Sequence, residues 1–329
     1  MNIGVSVIIC CYNSARRLPT TLEYLAKQEV ESSIPWEILV VDNASQDNTT
    51  EVVTDLCRQL EFPCPVRIVF EKTPGLTNAR KAGISDSNYE FIVFCDDDNW
   101  LSPNYVSGAY SILLNNKQCG MAGTKISPEF ETKKPKWFDS YTMYYSVGER
   151  SITTGDVTDS VGTILGAGMI TRKSLWINVY KTNYTFLCVD RMKNSLSTGG
   201  DMEMCIIAQK LGYRIYYSNE LSLKHFIPQE RLTLKYLKRN AFGVGMFYVL
   251  IHPYSYLTIG QIKKNLWIRD FLYNILQLRK PLFKLIFFKR IEFLVEFNLV
   301  LGKLFCLISL GNQYVANIEY IKKYYATRS

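Results

Sequence analysis

"FIVFCDDDNWLSP", residues 91–103, joins an apolar run to three adjacent carboxylates. The run is typical of a buried β-strand, and Asp96, Asp97 and Asp98 stand where that strand ends. Neighbouring like charges raise one another's pKa, so a chain keeps such a triplet either in water or around a cation. A solvated acidic turn that caps the next helix and a metal site shared with a substrate phosphate are the two alternatives.

The segments on either side of this stretch alternate apolar strands with helical periodicity. "VSVIICCYN", "WEILVVDNAS", "VRIVFEK" and "EFIVFCDDD" are near-continuous apolar runs, which predict a parallel sheet covered by helices on both faces. Ligands bind such sheets outside the carboxyl ends of the strands. Polar residues collect there, namely Tyr12, Asn13, Asp42, Asn43 and the triplet. Residues 115–200 are predicted to add loops and some antiparallel pairing.

Composition indicates a globular chain with an uneven charge. The 329 residues are 47% apolar, and the nine cysteines include no CxxC pair, which favours reduced thiols over disulfides or a zinc site. The apolar N-terminal stretch is too short for a signal peptide and is predicted to be the first strand, residues 5–10. The net charge of +8 lies entirely in residues 253–329, which contain twelve Lys and Arg against four Asp and Glu.

Four isolated residues each allow a chemical and a structural interpretation. Asp42 would hydrogen-bond a nucleotide or cap the next helix. Arg80 would clamp a diphosphate or form a surface ion pair. Asp201, at a predicted helix start, would be a general base kept ionised by the helix N-terminus, although an N-cap is the commoner role. His225 is expected to be a packed core residue, with a metal or phosphate contact as the alternative.

The last quarter of the chain interleaves aliphatic and aromatic residues with Lys and Arg, as in "LRKPLFKLIFFKRIEFLVEFNLVLGKLFCLISLG". No uncharged apolar run reaches the ~18–20 residues needed to span a bilayer. Amphipathic helices with a basic face favour an anionic membrane surface, and ordinary core helices with solvated lysines are the alternative. Nucleic acid is not expected as a partner.

Taken in order, six stretches between residues 4 and 230 resemble the family 2 glycosyltransferases, inverting enzymes with the GT-A nucleotide-sugar fold. They are "VIICCYNSARRLPTTLEYL", "EILVVDNASQDNT", "GLTNARKAGI", "FIVFCDDDNWLSP", "LGAGMITRKSL" and "GGDMEMCIIAQKLGYRI". The resemblance implies an α/β fold with a mostly parallel, Rossmann-like sheet flanked by helices. Residues 1–230 would form the GT-A domain, with a nucleotide-binding part (1–115) and an acceptor part (116–230). Residues 231–329 would form a helical, basic appendage.

The resemblance also implies an activity. One sugar would pass, with inversion, from a UDP- or GDP-sugar to a hydroxyl of a glycan or lipid-linked acceptor, with Mg²⁺ or Mn²⁺ as cofactor. Such a hexosyltransferase would serve polysaccharide biosynthesis as a peripheral membrane enzyme at the cytoplasmic face. The chain lacks the QxxRW motif of processive synthases, so a single addition per encounter is expected.

The family's motifs carry roles onto individual residues. Asp96 and Asp98 match the ends of its DxD motif, with Asp98 as the first metal ligand, Asp96 as the second and His225 as a minor third. Asp201 stands where the "ED" pair carries the general base, although Gly200 replaces the first acid of that pair. The expected nucleotide-sugar contacts are Cys10, Tyr12, Asp42, Arg80, Asp96 and Asp97. The expected contacts to the donor sugar or acceptor are Trp100, Gly166, Ala167, Gly168, Met169 and Gly200.

Two other functions compete with this one. A nucleotidyltransferase that makes the sugar nucleotide would share the sheet and the acidic site, but it would need a glycine-rich loop where "CCYNSARR" contains no glycine. A membrane-surface adaptor with a degenerate nucleotide pocket would not need both Asp98 and Asp201.

Overall fold

A computed structural model of the chain describes residues 2–188, 199–257, 265–288 and 290–326. These residues form two compact units, each built from three segments of the chain. The first unit comprises Met1–Lys133, Tyr145–Thr185 and Met204–Pro228. The second comprises Lys134–Tyr144, Phe186–Glu203 and Gln229–Ser329.

The first unit is built on one sheet that, within the described residues, has nine strands in the order β3-β2-β1-β4-β8-β6-β9-β5, with β7 beside β9. The strands are β1 (Asn2–Cys11), β2 (Trp36–Asp42), β3 (Val66–Phe70), β4 (Tyr89–Asp96), β5 (Asn99–Leu101), β6 (Cys119–Phe130), β7 (Gly155–Asp156), β8 (Ile170–Arg172) and β9 (Arg214–Ile227). Strands β1 to β4 pair in parallel, as predicted. The remaining half is mixed, because β8 is antiparallel to β4 and β6 whereas β6 and β9 are parallel.

Helices cover this sheet. They are α1 (Leu18–Ala26), α2 (Thr49–Gln59), α3 (Leu76–Asp86), α4 (Tyr105–Asn115) and α5 (Lys173–Lys181), followed by α6 (Gly200–Lys210), which begins in the second unit. Leu18, Leu22 and Leu25 of α1 are fully buried, as their helical spacing predicts. Every residue of β2 is buried, which explains its continuous apolar run. The predicted α/β fold is confirmed.

The strand order reverses direction beside β1. Strand β1 pairs with β2 on one side and with β4 on the other, although β3 lies between β2 and β4 in the chain. In doubly wound sheets such a reversal opens a crevice outside the carboxyl ends of the strands, where ligands bind. By this rule the expected ligand position is at the ends of β1 and β4, where the sequence has its acidic triplet.

The second unit is helical, which confirms the predicted helical C-terminal region. It contains α7 (Leu234–Ile251), α8 (Leu266–Phe288), α9 (Ile291–Leu310) and α10 (Gln313–Ala326), and 3₁₀ helices span Phe138–Tyr145, Gln229–Arg231 and His252–Tyr256. Helices α7 and α9 touch backbone to backbone, since a Cβ on Gly245 would overlap the Leu299 carbonyl and one on Gly302 would overlap the Phe242 carbonyl. Glycine at both positions permits this close crossing.

Helix α9 qualifies the expectation that no segment is apolar enough to span a bilayer. Among the described residues it is the one helix that is long and apolar enough to cross a bilayer, with a mean hydropathy of 1.9. It nonetheless carries Glu292, Glu296 and Lys303, so it is not an uncharged run. Core helices of soluble proteins can be equally long and apolar. Four of the twelve basic residues counted in this region, Lys263, Lys264, Lys289 and Arg328, lie outside the described residues.

Candidate functional site

The reversal at β1 brings the predicted strand-end residues together at one edge of the sheet. Cys10 of β1 stands opposite Asp96 of β4, and Cys11 stands opposite Asp42 of β2. This register follows from the equal lengths of apolar chain that precede each polar residue. The edge therefore has the thiol of Cys10 and the Asp96 carboxylate in one row of the sheet, and Asp42 in the next row, opposite Cys11.

The acidic triplet is not a solvated turn. Asp98 is 4% exposed and Asp97 is 9% exposed, and Asp96 is partly buried. Asn99, which is fully buried, shapes the turn: its side-chain oxygen accepts from the Asp96 N–H at 3.2 Å and its amide donates to Asp98 at 3.3 Å. Buried carboxylates need counter-charges, so the interpretation as an acidic turn in water is wrong for Asp97 and Asp98.

Asp97 has its counter-charge within the protein. The Arg17 guanidinium donates to both carboxylate oxygens, at 3.2 and 2.6 Å, and the Ser14 hydroxyl also donates to the carboxylate. Thr21 donates to the Asp97 carbonyl at 2.9 Å. Burial raises the pKa of the Asp97 carboxyl, the charge of Asp98 raises it further, and Arg17 lowers it. The Asp97 carboxylate therefore already accepts three hydrogen bonds from the protein. Its expected contact with the ribose stays a prediction.

Asp98 lies beside His225. Strand β5 pairs with β9 so that Asn99 faces His225, and the Phe226 N–H donates to the Asp98 carbonyl at 2.8 Å. The His225 Nε2 is then 3.5 Å from the Asp98 Oδ1. His225 is only 8% exposed, and its Nδ1 is buried without a hydrogen-bond partner. His225 is thus packed, as the favoured interpretation holds, but one of its two nitrogens has no hydrogen-bond partner.

This pair fits a divalent cation. Ligands held about 2.1 Å from one ion at right angles lie about 3.0 Å apart, so a small side-chain rotation would bring the 3.5 Å pair to that separation. No group of three His, Cys, Asp or Glu side chains converges on a metal position anywhere in the described part of the chain. Mg²⁺ commonly takes one or two carboxylates and leaves its other positions to water and substrate phosphates.

Arg80 sits at the same edge. It is 7% exposed, its guanidinium lies over the Phe94 ring at 5.4 Å, and its Nη1 is 3.9 Å from the Met204 sulfur. Burial raises the pKa of the Cys10 thiol to about 12, with the Arg80 charge opposing and Asp96 reinforcing the rise. Cys10 is thus a neutral thiol, and Arg80 is a buried cation rather than the surface ion pair that the sequence allowed.

Asp42 is hydrogen-bonded within its own loop but does not cap the next helix, whose N-cap residue is Asn48. Its two carboxylate oxygens accept from the Ser45 N–H at 2.9 Å and from the Thr50 hydroxyl at 2.8 Å. Each oxygen keeps a second lone pair, so a nucleotide contact stays a prediction. Tyr12 is 38% exposed at the end of β1, and its N–H donates to the Ser14 hydroxyl at 3.1 Å.

The predicted sugar contacts of the first unit are largely packed. Trp100 is stacked between Tyr24 at 5.5 Å and Phe226 at 5.6 Å, so both faces of its indole are covered. The segment of Gly166, Ala167, Gly168 and Met169 is buried, and Gly168 adopts φ +68°. The Tyr105 hydroxyl donates to the Gly168 carbonyl at 2.6 Å. Contact with a sugar stays a prediction for these residues.

Asp201 and Gly200 belong to the second unit, in the first turn of α6. The Asp201 Oδ1 accepts from the Met202 N–H at 3.0 Å, which is a local helix-end bond. Glu203, fully buried two residues later, accepts from the Leu187 and Cys188 N–H groups at 2.8 and 2.7 Å and from the Tyr254 hydroxyl at 2.6 Å. Glu203 therefore anchors the segment around Asp201, whose role as base stays a prediction.

Sequence reasoning missed Ser14, Arg17, Asn99 and Glu203. For Arg17 a signal was present, because "CCYNSARR" places two arginines just after the strand that pairs with the acidic triplet's strand. Asn99 directly follows the triplet, where Asn commonly shapes turns. No comparable signal marks Glu203, because its partners come from two distant segments.

The curated relatives that this chain resembles include glycosyltransferases and glycan synthases. The uncharacterised glycosyltransferase YwdF of Bacillus subtilis is 31% identical over 102 residues, which cover 31% of this chain and 35% of that protein. The poly-β-1,6-N-acetyl-D-glucosamine synthase of Staphylococcus aureus is 23% identical over 281 residues, which cover 80% of this chain and 62% of that protein. The chain spans about a third of YwdF's own length.

Solved structures of similar fold cover most of the chain. S. aureus TarS 1–349 in complex with UDP-GlcNAc has a TM-score of 0.53 at 15% identity, covering 92% of this chain and 90% of that one. The mannosyltransferase PcManGT of Pyrobaculum calidifontis, in complex with GDP-Man and Mn²⁺, has a TM-score of 0.55 at 15% identity, covering 100% of this chain and 76% of that one. At this identity the likeness establishes the fold.

The model of the family "Glycosyl transferase family 2" matches residues 6–176, more than half of the chain. That range contains most of β1, all of β2 to β4, the acidic triplet and Arg80. The chain is a member of glycosyl transferase family 2.

Proposed function

We propose that this glycosyltransferase moves one hexose, with inversion, from a UDP- or GDP-sugar to a hydroxyl of a glycan or lipid-linked acceptor. The observation that carries the proposal is the buried Asp98 and His225 pair, with an unpartnered His225 Nδ1, at the strand ends where such folds bind nucleotides. TarS with UDP-GlcNAc and PcManGT with GDP-Man and Mn²⁺ support a nucleotide-sugar donor.

The proposed metal site consists of Asp98, with Asp96 and His225 as further ligands, and takes Mg²⁺ or Mn²⁺. The bound cation would neutralise the charge that develops on the leaving diphosphate. Asp97 would stay paired with Arg17 and so keep its charge from adding to that of the ligands. The buried Arg80 would hold the diphosphate or the base through its donors.

The remaining roles follow from position. Cys10 and Tyr12 would pack the nucleobase at the end of β1, and Asp42 would accept from the base or ribose through its free lone pairs. Asp201 would take the proton of the acceptor hydroxyl as general base.

Contacts to the donor sugar or acceptor are assigned to the segments that flank these groups: Trp100, Gly166, Ala167, Gly168, Met169 and Gly200. The proposed domains are 1–230, with nucleotide and acceptor parts divided near residue 115, and 231–329.

The C-terminal helices would attach the enzyme to an anionic membrane at its cytoplasmic face. Helix α8 supports this proposal, since its side chains Leu272, Phe283, Ile286 and Phe287 are each 54–64% exposed. Four basic residues lie on the same helix against one acidic residue. Exposed apolar groups flanked by Lys and Arg are typical of interfacial helices.

A nucleotidyltransferase is the weaker alternative. Family membership and the absence of glycine in the loop after β1 both argue for transfer from a finished sugar nucleotide.

Two substitutions test the proposed roles in the full-length protein. Asp98→Ala should abolish the Mn²⁺-dependent part of the affinity for UDP or GDP, measured by calorimetry, whereas the exposed Asp55→Ala should leave it unchanged. Asp201→Asn should keep the affinity for the donor while transfer falls by at least ~10²–10⁴-fold. A thermal-shift screen of UDP- and GDP-sugars with Mn²⁺ would first identify the donor.

Each result has a clear contrary outcome. Nucleotide affinity that responds equally to Mn²⁺ in Asp98→Ala and in the unsubstituted protein would refute the metal assignment. Near-full turnover in Asp201→Asn would place the base on another residue.

A further inference from the structure

A cavity of about 390 Å³ lies wholly within the second unit, between α7, α8, α9 and α10. This volume falls within the ~300–1,000 Å³ range of small-molecule sites. Its polar lining residues are His252, Asp270, Asn274, Lys303 and Tyr314. None of these residues belongs to the strand-end site of the first unit, so a ligand of this cavity would be separate from the nucleotide sugar.

Lys303 is the unusual group in this lining. It stands in the middle of the apolar helix α9, directly after Gly302, whose contact with α7 draws this part of α9 toward Tyr248. The Lys303 ammonium lies over the Tyr248 ring at 5.3 Å. Burial lowers the pKa of Lys303, and no carboxylate among the described residues forms an ion pair with it. A half-buried cation without an anion favours an anionic ligand.

The opposite wall supplies an imidazole. The His252 Nδ1 is hydrogen-bonded to the Tyr314 hydroxyl, which donates to the Asp270 Oδ2 at 2.9 Å. Burial lowers the pKa of His252, Asp270 opposes this shift, and the charges of Arg269 and Lys303 add to it. His252 and Lys303 both line the cavity, so the same ligand can contact both.

Asp270 is the one carboxylate in the lining, and its charge is already engaged. Its Oδ1 accepts from the Arg269 Nε at 3.0 Å and from the Arg269 Nη2 at 2.8 Å, while Tyr314 holds the Oδ2. The Asn274 amide donates to the Asp270 backbone carbonyl at 2.8 Å. Asp270 thus holds Tyr314 in place in the cavity wall, and the Arg269 charge offsets the repulsion between Asp270 and a bound anion.

We propose that this cavity binds a phosphate group, with the Lys303 ammonium as its donor, the His252 Nε2 as an acceptor for a phosphate hydroxyl, and the Tyr248 ring at its rim. A protonated phosphate offers acceptor oxygens and a hydroxyl donor around one centre, which suits an ammonium and an imidazole nitrogen that line the same cavity. The structure favours a lipid headgroup over free phosphate as the source. Tyr248 and Tyr273, which line the cavity, are 48% and 60% exposed, and tyrosine rings commonly lie at headgroup depth.

The preference for a lipid rests on the proposed membrane attachment, whereas the phosphate site itself does not. Titration of the full-length protein with inorganic phosphate, followed by calorimetry, tests the site alone. Flotation with phosphatidylcholine vesicles, with and without phosphatidic acid, tests the lipid source. Glycosyl transfer is not a readout in either arm, so a failure of the proposed reaction leaves both results interpretable.

Lys303→Met removes the charge and keeps the length of the side chain, and Lys280→Met removes an exposed charge of α8 outside the cavity as a control. Lys303→Met should weaken phosphate binding by about tenfold or more, the loss of one charge-assisted hydrogen bond, and Lys280→Met should not. His252→Gln should weaken it in the same direction. Lys303→Met should fold at least as stably as the unsubstituted protein, since it relieves a desolvated charge.

The outcomes separate cleanly. Tighter binding to phosphatidic acid vesicles than to phosphatidylcholine vesicles, lost in Lys303→Met, supports the lipid headgroup. Binding of inorganic phosphate that depends on Lys303, with no preference for phosphatidic acid, supports the site with a soluble phosphate ligand. No phosphate binding by the unsubstituted protein in either arm, or equal affinity in Lys303→Met, would overturn the proposal.

Discussion

Removal of Arg17 probes how the chain tolerates three adjacent carboxylates. In Arg17→Met the Asp97 carboxylate loses two charge-assisted hydrogen bonds while it stays 9% exposed beside Asp98. Each such bond contributes about 1.5–3 kcal/mol. The lower value applies because the Arg17 side chain is 27% exposed, so the two together give a loss of about 3 kcal/mol in the free energy of unfolding.

The loss should depend on pH in a definite direction. Arg17 opposes the burial and the Asp98 charge that raise the pKa of the Asp97 carboxyl, so its removal raises that pKa further. A carboxyl whose folded-state pKa is raised binds protons better in the folded state, and stability then falls as pH rises through that value. Each unit between the pKa and the pH costs about 1.4 kcal/mol. The destabilisation by Arg17→Met should therefore be larger at pH 7.5 than at pH 5.5.

Urea unfolding of the full-length protein at both pH values measures this effect, and the adjacent Arg16 provides the control. Arg16 pairs with Glu131, but its side chain is 69% exposed, and exposed ion pairs contribute only ~0–1 kcal/mol. Arg16→Met should therefore change stability by less than about 1 kcal/mol at either pH. If the two variants were equally stable, or if the loss in Arg17→Met did not grow with pH, Arg17 would not be the counter-charge of Asp97.

Two further substitutions test the packed turn and the membrane helix. Gly168→Ala should lower the free energy of unfolding by about 2–4 kcal/mol, because its φ is positive and the new Cβ would overlap Tyr105 and Leu223. Gly212 also has a positive φ but open space around it, so Gly212→Ala should lower the free energy of unfolding by only about 1 kcal/mol. Equal losses for the two variants in urea unfolding would contradict the overlap at Gly168. The double substitution of Phe283 and Phe287 to Ser should reduce flotation with anionic vesicles at least tenfold, whereas Ile152→Ser, which is more exposed but lies in the first unit, should not. Unchanged flotation of the double variant would show that α8 does not contact the membrane.

The first half of the sheet could be predicted because its information is local. Each of β1 to β4 is a short apolar run followed by a polar residue, and the parallel order follows from the helices between them. The second half could not, since β9 pairs with β5, β6 and β7 across 60 to more than 100 residues of chain. The same long-range pairing brings His225 to Asp98, which is why the sequence alone favoured a packed core histidine and did not link it to the triplet.

The acidic site shows a similar division between local and distant information. The sequence located the triplet and the strand ends, and the family resemblance gave the three acids different roles, but neither indicated which protein groups each acid contacts. The structure separates them by partner: Asp97 is bound by Arg17 and Ser14 from the loop after β1, whereas Asp98 faces β9. Trp100 was expected to contact the donor sugar or acceptor, whereas in the structure its ring stacks on Tyr24 and Phe226. These partners come from elements that no local sequence pattern connects to Trp100.

The partners of His225 bear on what the site is for. A buried polar atom without a hydrogen bond costs about 1–3 kcal/mol, a large part of a domain's marginal stability. Apolar packing could have replaced the imidazole at no such cost, as it does along the rest of β9, where Leu221, Leu223 and Ile227 are buried. The ring instead stays beside Asp98, whose carboxylate is 4% exposed. In the proposed function the Asp98 carboxylate and the His225 Nε2 would share a cation, so the buried polar pair that the protein keeps at this edge would contribute to affinity for the donor.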